Sequence, residues 1–253
     1  MRIFIFHLGC FLILIMASSV ATARTLRVPA DCPSIQYAIN AGATGDTVLV
    51  SPGVYNESVN FAGKGIYLAS VAGPTATRIE PPANSAAVYF DNGENSNAVL
   101  SGFTLTNAGA GISVASSSPT IWSNVIVNCG NGINVLSGSP VIEKNRFTGC
   151  LYYGTAAVNL TGVCGAAIRS NLIQSNYSGG IIMSAMFGTI LIANNSIQGN
   201  QGTAIGAFNY YFNGSVFYSA NIIQNVIADN SGAAIYCWVN PGSRGPVLVN
   251  NTL

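Results

Sequence analysis

"LIANNSIQGN" (Leu191–Asn200) puts Ile192 three residues before Asn195 and Ile197 two residues after it. The same frame returns along the chain. With Asn195 as register zero, it matches "IWSNVI" (121–126), "IEKNRF" (142–147), "IRSNLI" (168–173), "IIQNVI" (222–227) and "LVNNTL" (248–253). "LSGFTL" (100–105) fits with Phe103 in the Asn place. The zero positions Phe103, Asn124, Asn145, Asn171, Asn195, Asn225 and Asn251 are 21, 21, 26, 24, 30 and 26 residues apart. Three before them stand Leu100, Ile121, Ile142, Ile168, Ile192, Ile222 and Leu248. Two after them stand Leu105, Ile126, Phe147, Ile173, Ile197, Ile227 and Leu253. A third apolar position recurs nine or ten residues after zero at Ile112, Ile133, Ile181, Ile205 and Ile235, usually behind Gly or Ala.

A period of this length, with β-branched columns and no helix-length amphipathic segment, reads as a β-solenoid. One coil cannot bury its own apolar face. Coils stacked at about 4.8 Å turn each Ile column into a continuous core. The apolar pair then points inward on either side of a bend. The Asn between them stacks with its counterparts and hydrogen-bonds along the axis. Unequal spacings place inserted loops at the bends. Leucine-rich repeats share an Asn column, but they need several Leu per repeat, and these repeats are Ile-rich. The expected fold is all-β: a right-handed parallel β-helix with a short N-terminal capping helix.

The chain has 253 residues. Arg2, an apolar run from Ile3 to Met16 and the small-residue end Ala21-Thr22-Ala23 describe a signal peptide over residues 1–23. The run is short for a bilayer span, and no second one follows. The mature chain is therefore expected to be exported, with no membrane span: secreted, at the cell surface or periplasmic. The leader contains the only histidine, His7, which excludes Ser-His-Asp, Cys-His and His-zinc chemistry from the mature chain. Without Arg2, eight basic and eight acidic residues remain, so nothing suggests nucleic acid.

Residues 24–99 read as an N-terminal cap with the first coils, and 100–253 as the repeats. Ser34 can cap a short helix with Ile35, Ala38 and Ile39 on one face, covering the open end of the solenoid. Thr47–Val50 and "GIYLAS" (65–70) follow as strands. Leu253 falls within a repeat, so further coils or an appended domain are expected beyond it. The chain is expected to be a monomer or a segment of a longer one.

The opening "VPADCPSIQYAINAGATGDTVLVSPGVYNESV" and the "NxI…N…GI" repeats resemble secreted right-handed parallel β-helix proteins of the pectin-lyase-like superfamily, over roughly residues 25–253. The superfamily holds lyases, hydrolases, esterases and binding modules, so the resemblance implies a fold rather than an activity. Pectate lyases of that group use calcium held by several acidic residues, with an Arg base; here no coil stacks two or three acidic residues. Asp91 and Glu94 in "DNGENSN" read as a solvated turn rather than a calcium loop. "GFTLTNAGAG" is faintly like pectin methylesterases, but their Asp pair is missing. Polygalacturonases need a His.

Two surfaces stand out. Two residues before zero lie Trp122, Glu143 and Arg169, with Lys144 and Arg146 flanking the same bend. They would offer cations to a uronate and Trp122 as a sugar platform. The plainer and favoured reading is a cross-strand ion pair on a solvated face, worth at most about 1 kcal/mol. The longest interval holds "FNYYFNGSVFYSA" (208–220), where Tyr210 and Tyr211, joined by Tyr153 and Tyr152 from another expanded coil, suit sugar stacking; the alternative is a satellite core under a loop. No residue is assigned a catalytic or metal-binding role. Five cysteines follow the leader. Cys129 and Cys150 each lie five after zero on neighbouring coils, near enough for a disulfide, though stacking points both side chains the same way; Cys164 is the other partner for Cys150.

The function expected is a non-catalytic module presenting a face to polysaccharide or a cell-surface glycan, with no cofactor. The alternatives are a pectate-lyase-like polysaccharide lyase, the one reading that brings calcium, and a structural segment of an adhesin-like surface protein.

Overall fold

The computed structural model describes residues 22–151, 156–162, 165–184, 188–208, 219–238 and 245–253. Their strands form three parallel sheets, of ten, eight and eight strands. Each complete coil contributes one strand to each sheet. In one coil these are Thr120–Trp122, Val125–Val127 and Asn131–Val135. Every pairing joins a strand to its equivalent one coil away, as Ile121 to Leu100 and Ile142 in the first sheet. The result is a right-handed parallel β-helix of about eight turns.

The apolar columns are the core. Leu100, Ile121, Ile142, Ile168, Ile192 and Ile222 stack in register in the first sheet and are fully buried. Leu105, Ile126, Phe147, Ile173, Ile197 and Ile227 do the same in the second. In the third sheet Val88 and Val158 complete the Ile column, because the register runs Val88, Ile112, Ile133, Val158, Ile181, Ile205, Ile235. Leu248 pairs with Ile222 but is half-exposed, having no rung beyond it among the described residues.

Left-handed residues turn the bends. The position before zero has positive φ at Gly102, Ser123, Lys144, Ser170, Asn194, Gln224 and Asn250. Next to it, the buried Asn column makes the expected ladder. Asn124 Oδ1 accepts from the backbone N–H of Phe103 at 3.0 Å, and Asn145 Oδ1 from that of Asn124 at 2.9 Å. The pattern continues through Asn171, Asn195 and Asn225 to Asn251. Each Nδ2 donates to a carbonyl of the preceding coil, as Asn145 to Ile121 at 2.9 Å. Backbone groups that a bend would leave orphaned are thus paired.

A second ladder occupies the next bend, five residues after zero. Asn176, Asn200 and Asn230 repeat the geometry, with Asn176 Oδ1 accepting from Cys150 N–H at 3.0 Å. Cys129 and Cys150 continue this column. The Cys129 thiol donates at 3.6 Å to Leu105 O and Val127 O, where Asn230 Nδ2 meets Ile197 O and Ala228 O. Both thiols are free, so no disulfide joins them; each fills an amide position by itself.

The capping helix spans Ile35–Ala41 and buries Ile35, Ala38 and Ile39. Ser34 Oγ accepts from Tyr37 N–H at 3.1 Å, as expected. Glu94 departs from expectation. It is buried rather than solvated, and its carboxylate accepts from Gly63 N–H, Asn92 N–H and Ser117 Oγ, tying three turns together. Asp91 stays exposed and accepts from Asn60 and Asn92 amides.

Candidate functional site

Strand alternation turns the residue after each first-sheet Ile outward. Parallel register therefore sets Trp122 beside Glu143, and Glu143 beside Arg169, on three successive coils. Arg169 Nε and Nη2 both approach Glu143 Oε2 at 3.0 Å, with the two side chains 45 % and 22 % exposed. Screening limits such a pair to about 1 kcal/mol. The left-handed backbone at Lys144 swings its chain back over the neighbouring coil, and Nζ sits 5.6 Å from the Trp122 ring centre. A cation over an exposed indole is worth about 0.5–1 kcal/mol. Arg146 lies across the bend, exposed at the start of the second-sheet strand Arg146–Thr148.

The structure thus gathers Trp122, Glu143, Lys144 and Arg169 into one patch, with Arg146 at its margin. Three cations face one carboxylate beside an aromatic surface that is 38 % exposed. Such a patch can stack against a ring and attract anions. Tyr210, Tyr211, Tyr153 and Tyr152 lie outside the described residues, as does the leader through Ala21.

Beside the 209–218 segment, the third sheet adds aromatics that the repeat frame does not single out. Gly206 leaves room for the Phe208 ring, which lies 5.4 Å from that of Tyr236. Trp238 is in register with Phe208, and Tyr236 and Trp238 are 46 % and 43 % exposed. The signal in the sequence is the alternation in "IYCW" (235–238), which faces both rings outward.

No group of three His, Cys, Asp or Glu stands together among the described residues. Burial pushes the Cys129 thiol up to about 11 and the Cys150 thiol up to about 12, the latter also through its neighbour Cys129. No helix among the described residues is long and apolar enough to cross a membrane.

The fold defines the class: a right-handed parallel β-helix repeat protein. The particular family follows from the sequence. Residues 39–253 match the family described as "Periplasmic copper-binding protein (NosD)", and the chain belongs to it. That family is periplasmic, in agreement with an exported chain. A search of curated proteins finds no match. Among solved structures the chain is similar to a pectin methylesterase variant in complex with a hexasaccharide, at 12 % identity over 91 % of this chain and 90 % of that one, with a TM-score of 0.56. It is also similar to an alginate lyase from Paenibacillus sp. str. FPU-7, at 13 % identity over 85 % and 98 %, TM-score 0.40. A third is the A-module of a mannuronan C-5 epimerase from Azotobacter vinelandii, at 12 % over 86 % and 71 %, TM-score 0.39. At its identity the likeness to the pectin methylesterase is one of fold alone.

Proposed function

We propose that this chain is an exported β-helix that binds acidic polysaccharide on its outer surface and carries no catalysis in this segment. The observation that supports this most is the Trp122 patch, where an exposed indole under Lys144 adjoins Arg169 held by Glu143. The indole offers a flat face to a sugar ring. The excess of cations suits carboxylates along the polymer, and Glu143 keeps one guanidinium in place on the rung. The exposed rings of Tyr236 and Trp238 are a second platform at the other sheet. The pectin methylesterase of similar fold was captured with a hexasaccharide.

Affinity electrophoresis through polygalacturonate or alginate gels tests the proposal. Wild-type protein should be retarded, and added salt should weaken the effect. Trp122→Ala or Arg169→Ala should each raise the apparent Kd about tenfold, equivalent to roughly 1.4 kcal/mol. Unretarded migration of the wild type in both polymers defeats the proposal. Release of unsaturated uronate from polygalacturonate with calcium, read by ultraviolet absorbance, would replace it with the lyase alternative.

The name of the family carries copper. The described residues offer it no fitting donor set. They hold no cluster of three His, Cys, Asp or Glu side chains, and Cys129 and Cys150 are buried in the core without a third such ligand beside them. The proposed function assigns copper no role.

A further inference from the structure

The bend between the second and third sheets carries a groove of about 330 Å³ on its outer side. Small-molecule sites begin at about this size. Its shape follows from one column. Gly109, Gly130 and Leu151 occupy equivalent places on three successive coils, three residues after Leu105's, Ile126's and Phe147's strands end. The two glycines, about 5 Å apart at the rung spacing, leave a floor without side chains. Leu151, 51 % exposed, closes one end. The Ala83–Asn84 bend overhangs the other so closely that a Cβ on Gly109 would lie 2.9 Å from Asn84 O. Asn107 and Asn128 run along one edge.

The amides of Asn84, Asn107 and Asn128 are exposed and make no hydrogen bond to protein among the described residues. This contrasts with both inner ladders, where amides are paired on both atoms. All three residues have positive φ, which Asn tolerates well. Backbone need alone does not call for an amide here, since Gly149, Ser175 and Gly199 turn the same corner further along. The groove lining contains no charged side chain. A charged ligand would lose hydration there without a counter-ion. A hydroxyl-rich neutral ligand would find in each amide both a donor and an acceptor, with the exposed Ala83 and Leu151 against its C–H face.

We infer that this groove, with Asn84, Asn107 and Asn128 above a floor of Gly109 and Gly130, is a binding site for a neutral disaccharide. It shares no residue with the Trp122 patch and stands independently of it.

Saturation-transfer NMR on the full chain with cellobiose, maltose and lactose as probes tests this. At least one of the three should receive saturation, and added salt should leave the transfer unchanged. The Asn107→Gly, Asn128→Gly double variant keeps the left-handed corners, as Gly149 and Gly199 do, and should weaken binding at least tenfold. Should that variant melt early, Asn128→Ser, which copies the corner at Ser175, should still weaken it severalfold. Trp122→Ala should leave it unaltered, so loss of acidic-polymer retention and loss of this site are read separately. No transfer to any of the three sugars overturns the inference, as does transfer that survives the Asn substitutions.

Discussion

A single ladder amide makes bonds in both directions along the axis. Asn171 Oδ1 accepts from Asn145 N–H at 2.9 Å, while its Nδ2 donates to Ile142 O at 2.9 Å and Asn195 Oδ1 at 3.0 Å. Asn171→Ala would strand a buried donor and a buried acceptor, each costing about 1–3 kcal/mol. Urea unfolding of the 253-residue chain should show a loss of about 3 kcal/mol, against about 1 kcal/mol for Asn251→Ala, where the amide is less buried. The first ladder is legible in the sequence because six Asn share one frame. The second is harder to see, although Asn176, Asn200 and Asn230 are spaced 24 and 30 residues apart, the same intervals as Asn171, Asn195 and Asn225. Cys129 and Cys150 mask its start and suggest a disulfide instead. Their thiols, pushed up to about 11 and 12 by burial, stay protonated in the fold after the unfolded chain, with values near 9.0, has begun to ionise. The folded state then binds more protons than the unfolded one. Stability should therefore fall as pH rises from about 9, by up to about 1.4 kcal/mol per pH unit for each thiol until its folded value is reached. Denaturant midpoints across that range check the sign, and a Cys129→Ser, Cys150→Ser variant should flatten the slope.

The capping helix has seven residues, too few to persist alone in water. Its two ends are held from the coil below. Glu57 accepts from the Ile35 and Gln36 N–H groups at 2.9 and 2.8 Å, and Lys64 Nζ donates to the carbonyls of Ile39, Asn40 and Gly42, each at 2.8 Å. A carboxylate at the N-terminus and an ammonium at the C-terminus also complement the helix dipole. Lys64→Met should leave three carbonyls without their cation and cost about 1–2 kcal/mol. Hydrogen exchange should rise across 35–41 before it changes in the repeats; uniform protection throughout the helix would refute the clamp. Ser34 and the Ile35, Ala38, Ile39 face are visible in sequence, because caps and amphipathic spacing are local. The clamp is not, because Glu57 and Lys64 reach the helix from about one coil away. The period that aligns Ile with Ile also brings these charges to the helix, but the first coil is too irregular for that alignment to be made from sequence.

Across the whole molecule, a solenoid is held by nearest-neighbour interfaces, so the same substitution should cost different amounts along one column. Register makes the Trp122, Glu143 and Arg169 row legible, since outward neighbours follow from inward ones. Lys144 over Trp122 is not, because it depends on a left-handed turn, and the corner groove is not, because it arises from side chains that are missing at Gly109 and Gly130. Aperiodic insertions have no register from which to be read. The core columns give the sharpest comparison. Ile168 is fully buried between Ile142 and Ile192, whereas Leu248 has Ile222 on one side and is 51 % exposed. Ile168→Ala removes packing from two interfaces and leaves a cavity that rigid neighbouring rungs cannot close, for a loss of about 3–4 kcal/mol. In a chain of these 253 residues, Leu248→Ala removes packing from one interface and exposes no sealed void, for about 1 kcal/mol or less. Chemical denaturation should separate the two, and hydrogen exchange should show Ile168→Ala loosening the rungs on both sides while the Ile35–Ala41 cap keeps its protection. Equal losses at the two positions would mean that the columns do not act as a one-dimensional stack.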